Sequence, residues 1–111
     1  MNVMDAIMTR RTVRKFTQED IKAETLRELV DAARMAAFGG NIQPLRYSII
    51  TGKTLCESVF ATTKWAAYLP DGTPKEGERP TAYIIVYSDE TGKKECMVDA
   101  GAAVTNMILA A

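Results

Sequence analysis

Histidine is missing from all 111 residues. Without an imidazole, Ser-His-Asp, Cys-His and His-metal chemistry are excluded together, because each needs that ring as base or ligand. Cysteine is scarce: Cys56 and Cys96 stand far apart, form no CxxC pair, and read as reduced, half-buried packing thiols rather than metal ligands. No apolar run approaches the roughly 18 residues of a membrane-spanning helix. The N-terminal segment lacks the apolar core and small-residue cleavage site of an export signal, and the expectation is a soluble, cytoplasmic protein. Net charge is absent too, since 14 Lys and Arg balance 14 Asp and Glu. That balance removes any general attraction to nucleic acid or anionic membrane. Any chemistry has to come from something bound.

Against this neutral background, Met8 to Phe16 reads MTRRTVRKF, with Arg10, Arg11, Arg14 and Lys15 inside six residues. A phosphate monoester carries nearly two charges and three acceptor oxygens, and guanidinium groups satisfy it with parallel charge-assisted donors. Arg10 and Arg11 with the Thr12 hydroxyl would make such a cradle. The plainer reading is that both arginines complement the negative end of a preceding helix, worth about 0.3 to 1 kcal/mol. Spacing alone leaves both open.

Hydrophobic residues make up 47% of the chain and charged ones 25%, ordinary for one globular domain. Val3, Met4, Ile7 and Met8 predict a short amphipathic helix over residues 2–9, with Asn2 as its N-cap. Leu26, Leu29, Val30, Ala33, Ala36 and Ala37 predict a second helix over 23–37, with an Arg27 and Asp31 surface pair and Gly39-Gly40 as the stop. Residues 46–51 read as a strand, and Leu55, Val59 and Phe60 suggest a third helix after Gly52. Residues 65–80 hold too many Pro and Gly for regular structure, and a loop of that length reads as a functional lid. Residues 81–87 form a nearly continuous apolar run, expected to be a strand covered on both faces. A charged turn over 89–94 leads to a last helix from Glu95. Met97, Ala100, Gly101, Val104, Met107, Ile108 and Ala111 would give that helix a small-residue face. It runs apolar to the final residue without a stop signal, and two strands make a thin sheet. The chain reads as the front of something longer.

RRTVRKF, then AARMAAFGGNIQP, LRYSIITG, KWAAYLPDGTPKEGERPTAYIIVYSD and DAGAAVTNMILAA, in this order, resemble the nitroreductase family of FMN-dependent oxidoreductases. The blocks Arg10-Arg11-Thr12-x-Arg14-x-Phe16 and Gly39-Gly40-Asn41-x-Gln43-Pro44 carry the resemblance. It implies an α+β, nitroreductase-like fold, with helices packed around a small mixed or antiparallel sheet. It also implies one domain over residues 1–111, lacking the C-terminal half.

By the same resemblance, Arg10, Arg11 and Thr12 hold the FMN phosphate and ribityl chain. Arg14 lies by the N1/O2 edge of the flavin, where a fixed positive charge favours the reduced, anionic form. Gly39, Gly40, Asn41 and Gln43 lie against the ring, with small residues permitting close backbone approach. Where the family commonly has Pro-Ser and Trp around this block, the chain has Ala37-Phe38 and Leu45. Phe38, Trp65 and Tyr68 are candidates for an acceptor pocket, or for hydrophobic anchors. The implied activity passes hydride from NADH or NADPH through flavin N5 to a nitroaromatic, quinone or similar small-molecule acceptor, by a ping-pong scheme in a homodimer. No metal, catalytic side chain, nucleic acid or membrane is implied. The alternative is a truncated, non-catalytic remnant acting at most as a dimerisation or weak flavin-binding module.

Overall fold

A computed structural model describes residues 1–89 and 94–111, without the side chains of Lys94 and Glu95. In chain order the elements are α1 (Val3–Thr9), α2 (Ala23–Arg34), a 3-10 turn (Gly39–Asn41), β1 (Leu45–Thr51), α3 (Lys53–Phe60), β2 (Ala82–Ser88) and α4 (Lys94–Ala110). β1 and β2 pair as a two-stranded sheet. The cross-strand contacts Arg46 to Asp89 and Ser48 to Tyr87 run in opposite residue directions, which makes the pair antiparallel. The chain divides into two compact units: residues 1–10, 22–48 and 84–111, and residues 11–21 and 49–83.

In the first unit α2 packs on α4. Leu26 is 2% exposed, and Ala33 and Ala103 are fully buried, so the helices are set by one large and two small side chains. Asn106 adds an amide N–H to the Ala32 carbonyl at 3.0 Å. α1 is capped as its sequence predicts, the Asn2 side chain accepting the Asp5 N–H at 2.9 Å.

Four expectations are corrected here. α2 ends at Arg34 rather than near residue 37, so Gly39-Gly40 is not its stop. The surface partner of Asp31 is Arg34, at 3.3 Å, one turn toward the helix end, instead of Arg27. β2 is not covered on both faces, for Ile85 and Tyr87 are exposed. In α4 the expected face is also wrong: Met97 is 80% exposed and Gly101 faces open space, while the buried residues are Asp99 and Ala103. Nearly every α4 position is apolar or small, so periodicity had little contrast to read. The charged turn expected over 89–94 lies largely outside the described residues. Among the described residues, no helix is long and apolar enough to cross a membrane.

In the second unit, residues 61–81 contain no helix or strand, as the density of Pro and Gly predicts. The loop is nonetheless anchored: Pro74 is fully buried, and a Cβ on Gly72 would collide with the Ala66 carbonyl oxygen. Cys56, on α3, is buried and directs its thiol to the Thr81 carbonyl at 3.3 Å. Burial pushes its thiol above the ordinary range. Because protonation is favoured in the folded state, this group adds no penalty below the unfolded thiol range. It withdraws stability as pH rises through that range toward the folded pKa. In the native protein at pH 8, iodoacetamide is expected to alkylate Cys56 at least about tenfold more slowly than a free cysteine, with denaturant abolishing the protection. Mass-spectrometric mapping of the labelled thiol checks this; equal rates would place the thiol at the surface.

Candidate functional site

The arginine block begins where α1 stops. Arg10 is the C-cap residue, its backbone N–H bonded to the Ala6 carbonyl at 3.1 Å, and the chain then turns extended. From Val13 to Thr17 exposure alternates: Arg14 and Phe16 are half-buried, and Val13, Lys15 and Thr17 face outward, the period of an extended strand. Arg11 and Thr12 are exposed.

Phe16 holds this segment in the second unit. Its backbone N–H donates to the Glu78 carbonyl at 2.8 Å, and its ring meets Trp65 edge-on at 6.3 Å. The Gln18 amide donates to the Arg79 carbonyl at 2.9 Å, and the Thr81 hydroxyl to the Glu19 carbonyl at 3.0 Å. A segment without regular structure is thus stitched along both its backbone and its side chains. The result is a directed Arg14, whose guanidinium donates to the Tyr68 hydroxyl at 3.3 Å. Lys15 instead turns to Glu78 at 3.9 Å, a long pair whose lysine end is mostly exposed.

Of the three aromatic candidates, Trp65 is held between Phe16 and Phe60, with its indole N–H given to Thr63 at 2.9 Å. Those are the contacts of a hydrophobic anchor. Tyr68 is exposed apart from its bond to Arg14. Phe38 is half-buried and supplies the carbonyl that accepts the Asn41 N–H at 3.0 Å.

The glycine block, in the first unit, has an unusual backbone. Gly40, Asn41 and Gln43 have φ of 59°, 55° and 54°, so three of four consecutive residues are left-handed. Asn tolerates that region, but Gln does not do so readily, and such strain persists only where surrounding contacts enforce it. The Gln43 amide N–H donates to Asn41 Oδ1 at 2.9 Å, tying the two side chains together. The Gly39 N–H is taken by Asp99 Oδ1 at 3.2 Å. Sequence reasoning missed Asp99. A single carboxylate in MVDAGAAV looks like a surface residue, and only the packing of α4 on α2 reveals it to be buried.

A separate cleft of about 380 Å³ lies in the second unit, lined by Gln18, Cys56, Phe60, Arg79, Thr81 and Tyr83 among others. No residue of the arginine or glycine blocks lines it. Arg79 lies over the Phe60 ring at 4.2 Å. The Tyr83 hydroxyl is buried with no hydrogen-bond partner among the described residues, and burial raises it above the usual phenol range. Among the described residues, no cluster of His, Cys, Asp or Glu could hold a metal ion.

An antiparallel strand pair with helices, an arginine block after α1 and a loop before β1 that is left-handed at Gly40, Asn41 and Gln43 are the features of a nitroreductase-like α+β protein. More particularly, the chain belongs to the Nitroreductase family, whose model matches residues 7–111. It is 31% identical over 72 residues to the nitrobenzene nitroreductase of Ectopseudomonas oleovorans, covering 65% of this chain and 32% of that protein. A protein of Methanothermobacter thermautotrophicus assigned as an NADH dehydrogenase/NAD(P)H nitroreductase is 26% identical over 114 residues, covering 100% of this chain and 56% of that one.

Among solved structures, a protein of Desulfovibrio desulfuricans assigned as a nitroreductase, in complex with FMN, superposes with a TM-score of 0.76 at 30% identity, over 97% of this chain and 60% of that one. A nitroreductase with bound FMN from Desulfitobacterium hafniense gives a TM-score of 0.76 at 25% identity, over 99% and 64%. The chain therefore spans little more than half the length of the relatives it matches end to end. Flavin-dependent oxidoreduction is the chemistry these relatives support in general.

Proposed function

We propose that this chain carries the phosphate-binding and ring-edge portion of an FMN site in an NAD(P)H-dependent oxidoreductase. Its electron acceptor would be a nitroaromatic, quinone or similar small molecule. The observation that carries the reading is the left-handed run at Gly40, Asn41 and Gln43. Strained backbone of this kind concentrates at ligand clamps, and here it falls in the block that the family resemblance assigns to flavin.

The residues present fit that cofactor by donor chemistry. Arg10, Arg11 and the Thr12 hydroxyl match a phosphate dianion. Arg14, steered by Tyr68, would supply a fixed positive charge to an electron-rich ring edge. Asn41, with its oxygen satisfied by Gln43, keeps amide N–H donors for a ring acceptor. Gly40 allows close approach, since the nearest atoms to a Cβ there belong to the Ile42 side chain at 3.6 Å. When bound, FMN supplies the hydride chemistry at its N5.

Homodimerisation is part of the same reading. α1 is a seven-residue helix with no buried residue, and Val3, Met4, Ile7 and Met8 are all exposed. Helices shorter than about 12 to 15 residues are marginal without a packing partner. Within the chain α1 touches α4 lightly, and a partner subunit covering its apolar face would add further packing.

The second reading, a non-catalytic flavin-binding or dimerisation module, draws on the exposed apolar face of α1. Titration with FMN, followed by anaerobic addition of NADH or NADPH, separates the two. Flavin fluorescence quenched on binding and visible absorbance bleached by the nicotinamide are expected. Binding without bleaching supports the module, and absence of binding sinks both flavin readings.

A further inference from the structure

We propose that Asp99 is the positioning residue of the Gly39–Gln43 loop: its carboxylate fixes the backbone amide from which the left-handed turn is built. The consequence for FMN rests on the function proposed above; the consequence for the loop does not. Asp99 is 4% exposed and is the buried charged residue among the described ones. A carboxylate is withdrawn from water only against strong compensation, and its bond to Gly39 spans 60 residues of sequence.

The loop needs such a tie. Within the turn, the Phe38 carbonyl accepts the Asn41 N–H at 3.0 Å and the Gly39 carbonyl accepts the Ile42 N–H at 3.3 Å. The Gly39 N–H is left pointing out of the turn, and Asp99 accepts it. Immediately after this point come the left-handed residues, which would relax elsewhere if the start of the turn were free. Asp99 is itself well fixed. It lies four residues, about one turn, before Ala103, which is fully buried. The packing of α4 on α2 therefore sets the carboxylate, and the carboxylate sets the loop.

Amide hydrogen exchange on the isotopically labelled full chain tests this directly, in the native protein, Asp99→Asn and Asp99→Ala. Gly39 exchange is expected to accelerate at least about tenfold in Asp99→Ala, the size of one lost charge-assisted hydrogen bond. Asp99→Asn keeps a neutral acceptor oxygen and should fall between the two. Amides in the middle of α2 and α4 should stay within about twofold, as local opening rather than global unfolding requires. Equal Gly39 rates in native and Asp99→Ala protein would overturn the proposal. So would uniform acceleration at every amide, which marks a general folding role. Should Asp99→Ala fail to fold, Asp99→Asn decides by the same criterion: selective acceleration at Gly39 supports the proposal, and native rates overturn it.

FMN titration of the same three proteins gives the functional arm. Affinity is expected to fall at least about tenfold in Asp99→Ala, with partial recovery in Asp99→Asn. Native-like affinity in Asp99→Ala would overturn the link from Asp99 to the cofactor. If the native chain binds no FMN, the function reading fails, and Gly39 exchange alone judges Asp99.

Discussion

Replacing Leu26 by alanine is expected to lower the unfolding free energy by about 2 to 5 kcal/mol. Leu26 is 2% exposed, and among the described residues it is the buried large aliphatic side chain. The other buried apolar residues described on α2 and α4, Ala33 and Ala103, are alanines, which have no rotamers with which to fill a vacancy, so the cavity term adds to the lost transfer energy. Small domains hold only about 5 to 15 kcal/mol in total, so one such cavity removes a large share. Urea titration should show a lower midpoint with an unchanged slope. Leu55, 58% exposed on α3, is the control, and its alanine variant should stay within about 0.5 kcal/mol. A loss below about 1 kcal/mol for Leu26→Ala would mean that the buried contacts of α2 do not carry the stability of its unit.

The second large effect concerns Arg10 and Arg11. As a phosphate cradle, each guanidinium contributes about 1.5 to 3 kcal/mol through charge-assisted bonds, so each alanine substitution should weaken FMN binding by roughly ten- to a hundredfold. Lysine at either position restores charge without the two-pronged donor geometry, and should recover only part of the loss. As mere complements to the end of α1, the same residues would affect stability by about 0.3 to 1 kcal/mol and FMN affinity not at all. Measuring both quantities on one set of variants assigns the block: unchanged affinity with reduced stability returns the arginines to the helix end.

Much of the fold was legible because it is local. The Asn2 cap of α1 and the period of α2 need only neighbouring residues to be recognised, and so do the β-branched run of β1 and the breaker-rich stretch before β2. The end of α2 was not legible. Met35, Ala36 and Ala37 contain nothing that forbids a helix. The chain leaves it after Arg34, and a tightened Ala33 to Ala36 turn at 3.1 Å leads to Phe38 and Gly39, where Asp99 takes the amide. α4 misled for the opposite reason: with apolar or small residues on all sides, it offered no stripe to choose.

What the sequence determined by itself was the inventory of chemistry. A chain without histidine, neutral overall, with RRTVRKF and GGNIQP in order, specified the family and the residue types available to hold an anion and a ring. What only the tertiary structure decided was direction. Phe16 anchored against Trp65 and bonded to Glu78 turns Arg14 toward Tyr68. The packing of α4 on α2 buries Asp99 and holds the start of a strained loop. Residue type and spacing are short-range information, encoded within a turn or a strand. The orientation of a side chain depends on contacts made 50 or more residues away in the chain, which the fold alone brings within bonding distance.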